Sequence, residues 1–384
     1  MTTPHYSDNI KHWGLDRSIT FLNHGSFGAA PLAVLQKQNE YRAMMESEPV
    51  HFMTRQLEPM LWEAKESLAK FVGANASELI FATNASTGVN IVLNSLKFEA
   101  GDELLTTNHS YGACFNAMKW FADRSGAKMI VANVPFPIAD KQQVIDAMMN
   151  CITPKTKLLM IDHITSATGI IFPAEEIVKL VQARGVDVLV DGAHAPGMLP
   201  IQLDEIGAAY YTGNCHKWIC SPKGSAFLHV RKDKQSLIHP LQVSHHYDVP
   251  NSGNKLWSSH FFWPGTHDYS AFLCVKDAIE FMNTLYAGGW SELQKHNRDL
   301  CLQARKLLSE KTGYTLPAPE NMIGNLSNLF LGETKMPPYG FNYLHPVHEK
   351  LFRQYNIEVP VFVWNKQQPR SWLRIAVQAY NHFS

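Results

Sequence analysis

Between residues 78 and 230 short apolar runs alternate with helical stretches, and this alternation limits the possible folds more than any other feature of the chain. The runs are ELIFAT (78–83), DELLTTN (102–108), KMIVANV (128–134), KLLMIDH (157–163), VDVLVD (186–191) and AAYYTGN (208–214). Runs apolar on both faces belong in a sheet buried on both sides, and intervening helices make that sheet mostly parallel. SAFLHV (225–230) follows AAYYTGN closely and is expected as an antiparallel neighbour. Helices are expected at 31–48, at 55–72, over NASTGVNIVLNSL, and from Tyr111 to about Ser125. In such α/β sheets ligands gather beyond the carboxyl ends of strands. Thr83-Asn84, Asn108-His109, His163, Asp191 and Asn214 all fall at such ends.

The pattern changes near residue 270. A long helix is expected from about Tyr269 to Tyr286, and a second, WSELQKHNRDLCLQARKLLSEKTG, ends at Gly313. Short strands, a Pro-rich stretch (MPPYG), a helix near 346–355, and the strands IEVPVFVW and SWLRIAV follow. The expected organisation is a large α/β domain at 20–268 and a smaller α+β domain from 1–19 and 269–384, which 384 residues can fill.

Acidic and basic residues balance at 34 each, so neither a nucleic-acid nor a membrane partner is expected. No apolar run is long enough to span a bilayer, and MTTPHYSDNIKHWGLD lacks a signal core. A cytoplasmic protein with reduced thiols is the expectation. Its six cysteines show no CxxC spacing, which favours neither a zinc site nor a disulfide framework, and no metal is expected. Cys215 and Cys220 read as thiols beside a functional lysine. His245 and His246, if on a strand, would point to opposite faces.

Two strand ends carry reactive groups. VLVDGAHAPG places Asp191, and YTGNCHKW places Lys217, 26 positions apart. A pyridoxal phosphate enzyme needs a lysine for its Schiff base and a carboxylate under the pyridinium nitrogen. Alone, a His-Lys pair is an ordinary surface feature and an aspartate after a strand an ordinary loop cap. Together, in this order, they point to the cofactor. Its phosphate needs donors, and Asn84-Ala85-Ser86-Thr87 opens a helix, a geometry that also serves a plain N-cap. Asn214 and His216 flank the lysine and can reach a phosphate too. The ring needs a flat partner, and NHSYGA offers Tyr111 and His109, which also read as packed aromatics. Arg374 in SWLRIAV is either a snorkelling residue or a buried carboxylate clamp, and the other motifs favour the clamp.

The motifs NHGSFGAAP, NASTGVN, NHSYGA, HITSATG, DGAHAPG, TGNCHKW, WPGTHD and LRIAVQAYN occur in one order. Through them nearly the whole chain resembles the class V aminotransferase family of fold-type I pyridoxal phosphate enzymes. It looks most like the branch with isopenicillin N epimerase and carbon–sulfur lyases. The resemblance implies that Lys217 forms the Schiff base, Asp191 pairs with the pyridinium and His194 bonds the phenolic oxygen. It implies that Ser86, Thr87, Asn214 and His216 hold the phosphate. Tyr111 matches the ring-stacking position best, with His109 second, and Ser166 falls near the ring oxygen. Gly265 and Thr266 match a loop that reaches a partner subunit's phosphate, which implies a homodimer with shared sites. Arg374 matches the substrate carboxylate clamp, and Asn23 and His24 match a segment lining the substrate pocket. Cysteine desulfurases of the family carry a nucleophilic cysteine shortly before the arginine strand. Residues 302–374 here contain none, which disfavours persulfide chemistry by that route. The chain stops at YNHFS, where family members usually continue into a last helix.

The expected activity is at the α-carbon of an amino acid, with Lys217 moving the α-proton. Epimerisation ranks first by resemblance, carbon–sulfur lysis second, and transamination is a third outcome of the same site. Tyr111, His109 and His24 are candidates for a second acid. A non-catalytic relative has no physical need for Lys217, Asp191 and Arg374 together. A nucleotide-binding protein would want a glycine-rich phosphate loop that the chain lacks. Arg55 and HFFWPG (260–265) are candidates to shape a distal pocket, although Arg55 reads equally well as a solvated helix residue.

Overall fold

The six apolar runs become strands β1 (Leu79–Ala82), β2 (Glu103–Thr107), β3 (Lys128–Ala132), β4 (Thr156–Asp162), β5 (Asp187–Asp191) and β6 (Tyr210–Asn214). With β7 (Ala226–Val230) they form one seven-stranded sheet in the order β1-β7-β6-β5-β4-β2-β3. The computed structural model describes residues 4–246, 257–336, 345–364 and 369–383. β7 is antiparallel to both β1 and β6, and every other pairing is parallel. Six strands therefore run one way and bring their carboxyl ends to one edge. Strands β4 and β5 are buried throughout except at Lys157 and Asp187, as their unbroken apolar runs require.

The helices are α1 (Leu32–Ser47), α2 (Leu57–Val72), α3 (Ala85–Ser95), α4 (Gly112–Ser125), α5 (Lys141–Met149), α6 (Ala174–Gln182), α7 (Ser270–Asn283), α8 (Gly289–Thr312) and α9 (Pro346–Tyr355). The expected helix at 55–72 starts earlier. Pro49 opens a helical turn, Phe52–Gln56 form a π-helical turn, and α2 continues from there to a left-handed Gly73. Proline suits a first helical position because its missing N–H would have no partner there. Helix α3 is opened by Asn84, whose side chain accepts from the Thr87 amide. Its Gly88 faces β6 so closely that a Cβ would lie 2.2 Å from Thr212 Oγ1.

A second, antiparallel sheet has the order β9-β10-β8, from β8 (Leu326–Glu333), β9 (Val361–Trp364) and β10 (Arg370–Ala376). The N-terminal segment meets the C-terminal one. Thr20-Phe21 pair with Ile357-Glu358, Asn23 bridges Ala376 and Tyr6 bridges Asn381. From residue 337 the Pro-rich stretch lies outside the described residues. Among the described residues no helix is long and apolar enough to cross a membrane.

Candidate active site

Lys217 follows β6, is only 9% exposed, and its Nζ lies 3.0 Å from His194 Nε2. The other ring nitrogen of His194, Nδ1, lies 3.3 Å from the Trp218 indole nitrogen. An indole can only donate, so Nδ1 accepts and Nε2 carries the proton of the neutral ring. That N–H faces a lone pair on Lys217 once the amine has lost its proton. Burial lowers the lysine pKa to about 8, with Asp191 opposing the shift and Arg374 adding to it. Burial, then the charges of Lys217 and Arg374, hold His194 neutral.

Asp191 ends β5. Its Oδ1 accepts from the Ala193 amide at 3.0 Å and its Oδ2 from the Cys114 thiol at 3.1 Å. Beside it on β4 stands Asp162, its register partner, also buried, whose Oδ2 has no hydrogen bond among the described residues. Burial raises both carboxyls, and the Asp191 charge raises Asp162 further. Two neighbouring dry carboxyls resist double ionisation. The Asp191 charge adds to burial at Asp162, which is raised the further, so Asp191 keeps the charge and Asp162 the proton. Sequence reasoning missed Asp162, Cys114 and Trp218. Asp162 was findable, because KLLMIDH carries an aspartate at its strand end as VDVLVD does.

The start of α3 is fastened to the lysine's strand. Asn214 Oδ1 accepts from the Ala85 amide at 2.8 Å, Asn84 Oδ1 accepts from the Thr87 amide at 2.8 Å, and the Thr83 and Thr87 hydroxyls are 2.9 Å apart. Ser86 is the second residue of that helix. His216 donates from Nδ1 to the Ser225 carbonyl at 2.9 Å, and its pKa is lowered to about 4, mainly by burial. A phosphate beside it would oppose that shift and make Nε2 a donor.

Tyr111 and His109 part company. Tyr111, just before α4, is 44% exposed. His109 is 2% exposed, with Nδ1 2.7 Å from Thr168 Oγ1, Nε2 3.1 Å from the Val134 carbonyl, and its ring against Trp364. Both of its nitrogens are engaged within the protein.

Arg374 on β10 is 4% exposed, so its guanidinium does not snorkel. It donates to the Ser166 carbonyl and, over 3.1 Å, to Ser26 Oγ. Ser166 thus meets the arginine through its backbone. Ser26 donates in turn to Asn23 Oδ1 at 2.6 Å, and Asn23 donates to Glu358 at 2.9 Å. His24 departs from expectation. Its Nε2 lies 2.9 Å from the Lys217 carbonyl and its Nδ1 2.9 Å from the Tyr380 hydroxyl, and the ring is fully buried. With both nitrogens engaged it braces the lysine's backbone and is not placed to line a pocket or supply a second acid. Gly28 (φ +69°) lets this segment close on the lysine loop, since a Cβ there would lie 1.9 Å from the His216 carbonyl oxygen.

A cavity of about 810 Å³ borders Thr83 and Thr87 and is lined by Lys65, Phe261, Phe262 and Tyr269. The aromatic half of the distal-pocket reading therefore lines open space. Arg55 does not: it is exposed and contacts His51 at 3.3 Å. Gly265 (φ +132°) and the exposed Thr266 follow the aromatic segment, with the Gly265 carbonyl accepting from His267 at 2.9 Å.

A buried amine of lowered pKa, a buried carboxylate and a helix N-terminus at one sheet edge suit the three ends of pyridoxal 5'-phosphate: aldehyde, pyridine nitrogen and phosphate. Fold and site thus define a fold-type I pyridoxal phosphate enzyme. The chain belongs to the class-V aminotransferase family, whose profile matches residues 21–335. It is 32% identical to isopenicillin N epimerase of Streptomyces clavuligerus over 80% of this chain and 79% of that protein. It is 29% identical to L-cysteine desulfhydrase of Arabidopsis thaliana over 89% of this chain and 77% of that one. The solved complex of the cystine C–S lyase C-DES with its reaction product cysteine persulfide shares the fold. Its TM-score is 0.78 at 20% identity, over 94% of this chain and 93% of that one.

Proposed function

We propose that the protein acts at the α-carbon of an amino acid and epimerises it, in the manner of its isopenicillin N epimerase relatives. The observation that carries this reading is the Lys217 amine held against His194 beside the buried Asp191. Bound pyridoxal phosphate supplies an electron sink for the charge left when the α-proton departs. Lys217 would hold the cofactor's aldehyde and take the α-proton, and inversion would need an acid on the opposite face, for which Tyr111 is the candidate. Asp191 pairs with the pyridine nitrogen and His194 with the phenolic oxygen. Ser86, Thr87, Asn214 and His216 hold the phosphate, and Ser166 lies near the ring oxygen. Tyr111, by its exposure, covers the ring face in preference to His109. Arg374 clamps the substrate carboxylate, steadied by Ser26 and Asn23. Gly265 and Thr266 serve the site of a second copy, making the enzyme a homodimer.

A second reading is carbon–sulfur lysis, favoured by the likeness to L-cysteine desulfhydrase. Both reactions begin with removal of the α-proton. They differ in whether the proton returns to the opposite face or a β-sulfur group leaves. A cysteine nucleophile is not part of either proposal, since Cys301 is buried in α8 and no cysteine follows it before Arg374.

The visible spectrum of the protein titrated with pyridoxal phosphate tests the site. A yellow band should survive dialysis in the wild type and be lost in Lys217→Ala. A band that persists in the variant, or never forms, overturns the proposal. Amino acids then separate the two reactions: chirality inverts with solvent deuterium entering the α-carbon, or a keto acid and sulfide appear.

A further inference from the structure

We propose that Glu78, Asp204 and His229 form a site for one divalent cation of the zinc class, at the sheet edge opposite the active site. Glu78 immediately precedes β1, and His229 on β7 is the register partner of Leu79. Both stand at the amino end of β1, whereas Thr83 and the helix start lie beyond its carboxyl end. Asp204 belongs to the short helix Leu203–Ile206, whose position is fixed by a 3.0 Å bond from the Asp204 amide to the Gly73 carbonyl.

The three ligand atoms lie within 4.8 Å of one another, and His229 Nε2 is 3.3 Å from Glu78 Oε2. A tetrahedral ion with bonds of about 2.1 Å separates its ligands by roughly 3.4 Å. The first pair already has that spacing, and Asp204 is exposed. His229 is 2% exposed, its Nε2 meets only the Glu78 carboxylate, in ion-pair rather than hydrogen-bond geometry, and its Nδ1 makes no hydrogen bond among the described residues. Buried polar groups nearly always have a partner, and this one points at two carboxylates. One imidazole with two carboxylates suits zinc, or cobalt as its spectroscopic substitute, whereas calcium and magnesium favour all-oxygen shells. The ion would neutralise both carboxylates and tie β1, β7 and the short helix Leu203–Ile206 together. The site is structural and does not depend on the proposed reaction. Nothing in the spacing of residues 78, 204 and 229 announces it.

Tag-free holoenzyme, first treated with a chelator, is titrated with Zn2+ by calorimetry and followed by thermal unfolding. One ion per chain should bind and raise Tm. Asp204→Asn, at an exposed position, should weaken binding at least about tenfold while leaving the metal-free Tm unchanged. His229→Gln should abolish binding, and Glu78→Gln replaces it in the test if it fails to fold. Absence of saturable one-to-one binding overturns the proposal. That outcome leaves an ordinary Glu78–His229 ion pair. Binding that Asp204→Asn or His229→Gln leaves as in the wild type also overturns it, because it places the ion on other ligands.

Discussion

Trp218 sets the state of Lys217 through one hydrogen bond to His194. Trp218→Phe removes the indole donor, lets the ring proton move to Nδ1, and allows Nε2 to accept from a Lys217 ammonium. The lysine pKa should then rise above its value of about 8. The pH midpoint for the rate of pyridoxal phosphate uptake by apoenzyme should move up with it; an unmoved midpoint would show that the indole does not fix the tautomer. Asp162 makes a second test. Its folded pKa is raised above the unfolded carboxyl value, so the folded state binds the extra proton. Stability is fully present below about pH 4 and is lost as pH rises through the folded pKa. Asp162→Asn removes that loss, so the apo variant should melt above apo wild type at pH 8, with the gap closing toward pH 4. An equal gap at both pH values would exclude a titration effect. Lys217 and Asp191 could be singled out from sequence because one follows a strand and the other ends one, each with a group the cofactor chemistry requires. Trp218 and Cys114 were not, because an indole or a thiol in a helical or loop pattern looks like any packed side chain until its neighbour is known.

Helix α3 shows how an element aims a site. Asn84 caps it, Asn214 ties its first amide to β6, and Gly88 admits it against Thr212. Thr212 Oγ1 is itself bound to the Phe227 carbonyl at 2.8 Å, so the threonine has little freedom to yield. Gly88→Ala should cost about 1–3 kcal/mol of stability by overpacking. It should also weaken cofactor binding by displacing Ser86 and Thr87; calorimetric Tm and a pyridoxal phosphate titration check both. At this scale the sequence was informative. The strands follow from unbroken apolar runs, and the reversal of β7 from its closeness to β6. The start of α2 was misplaced because a π-helical turn carries no periodic signal of its own.

Across the whole molecule, the proposed carboxylate clamp joins residues 348 positions apart, Ser26 and Arg374. Ser26→Ala should lose about 1–2 kcal/mol of clamp support. KM for the amino acid should rise several-fold with kcat less affected, measured by steady-state kinetics. Sequence alone could mark Arg374 as buried on an apolar strand, but no pattern reports which distant hydroxyl it meets. The same closure explains His24, which reads as a pocket residue from its motif yet spends both nitrogens on Lys217 and Tyr380. It also gives the order in which competence arises during synthesis. A ribosome completes residues 23–28, Asp191 and Lys217 long before it reaches β10 and Tyr380. Until then the lysine loop and its brace are present without the strand that holds them, so a chain stalled before residue 370 carries the reactive groups but not the arrangement that makes them act.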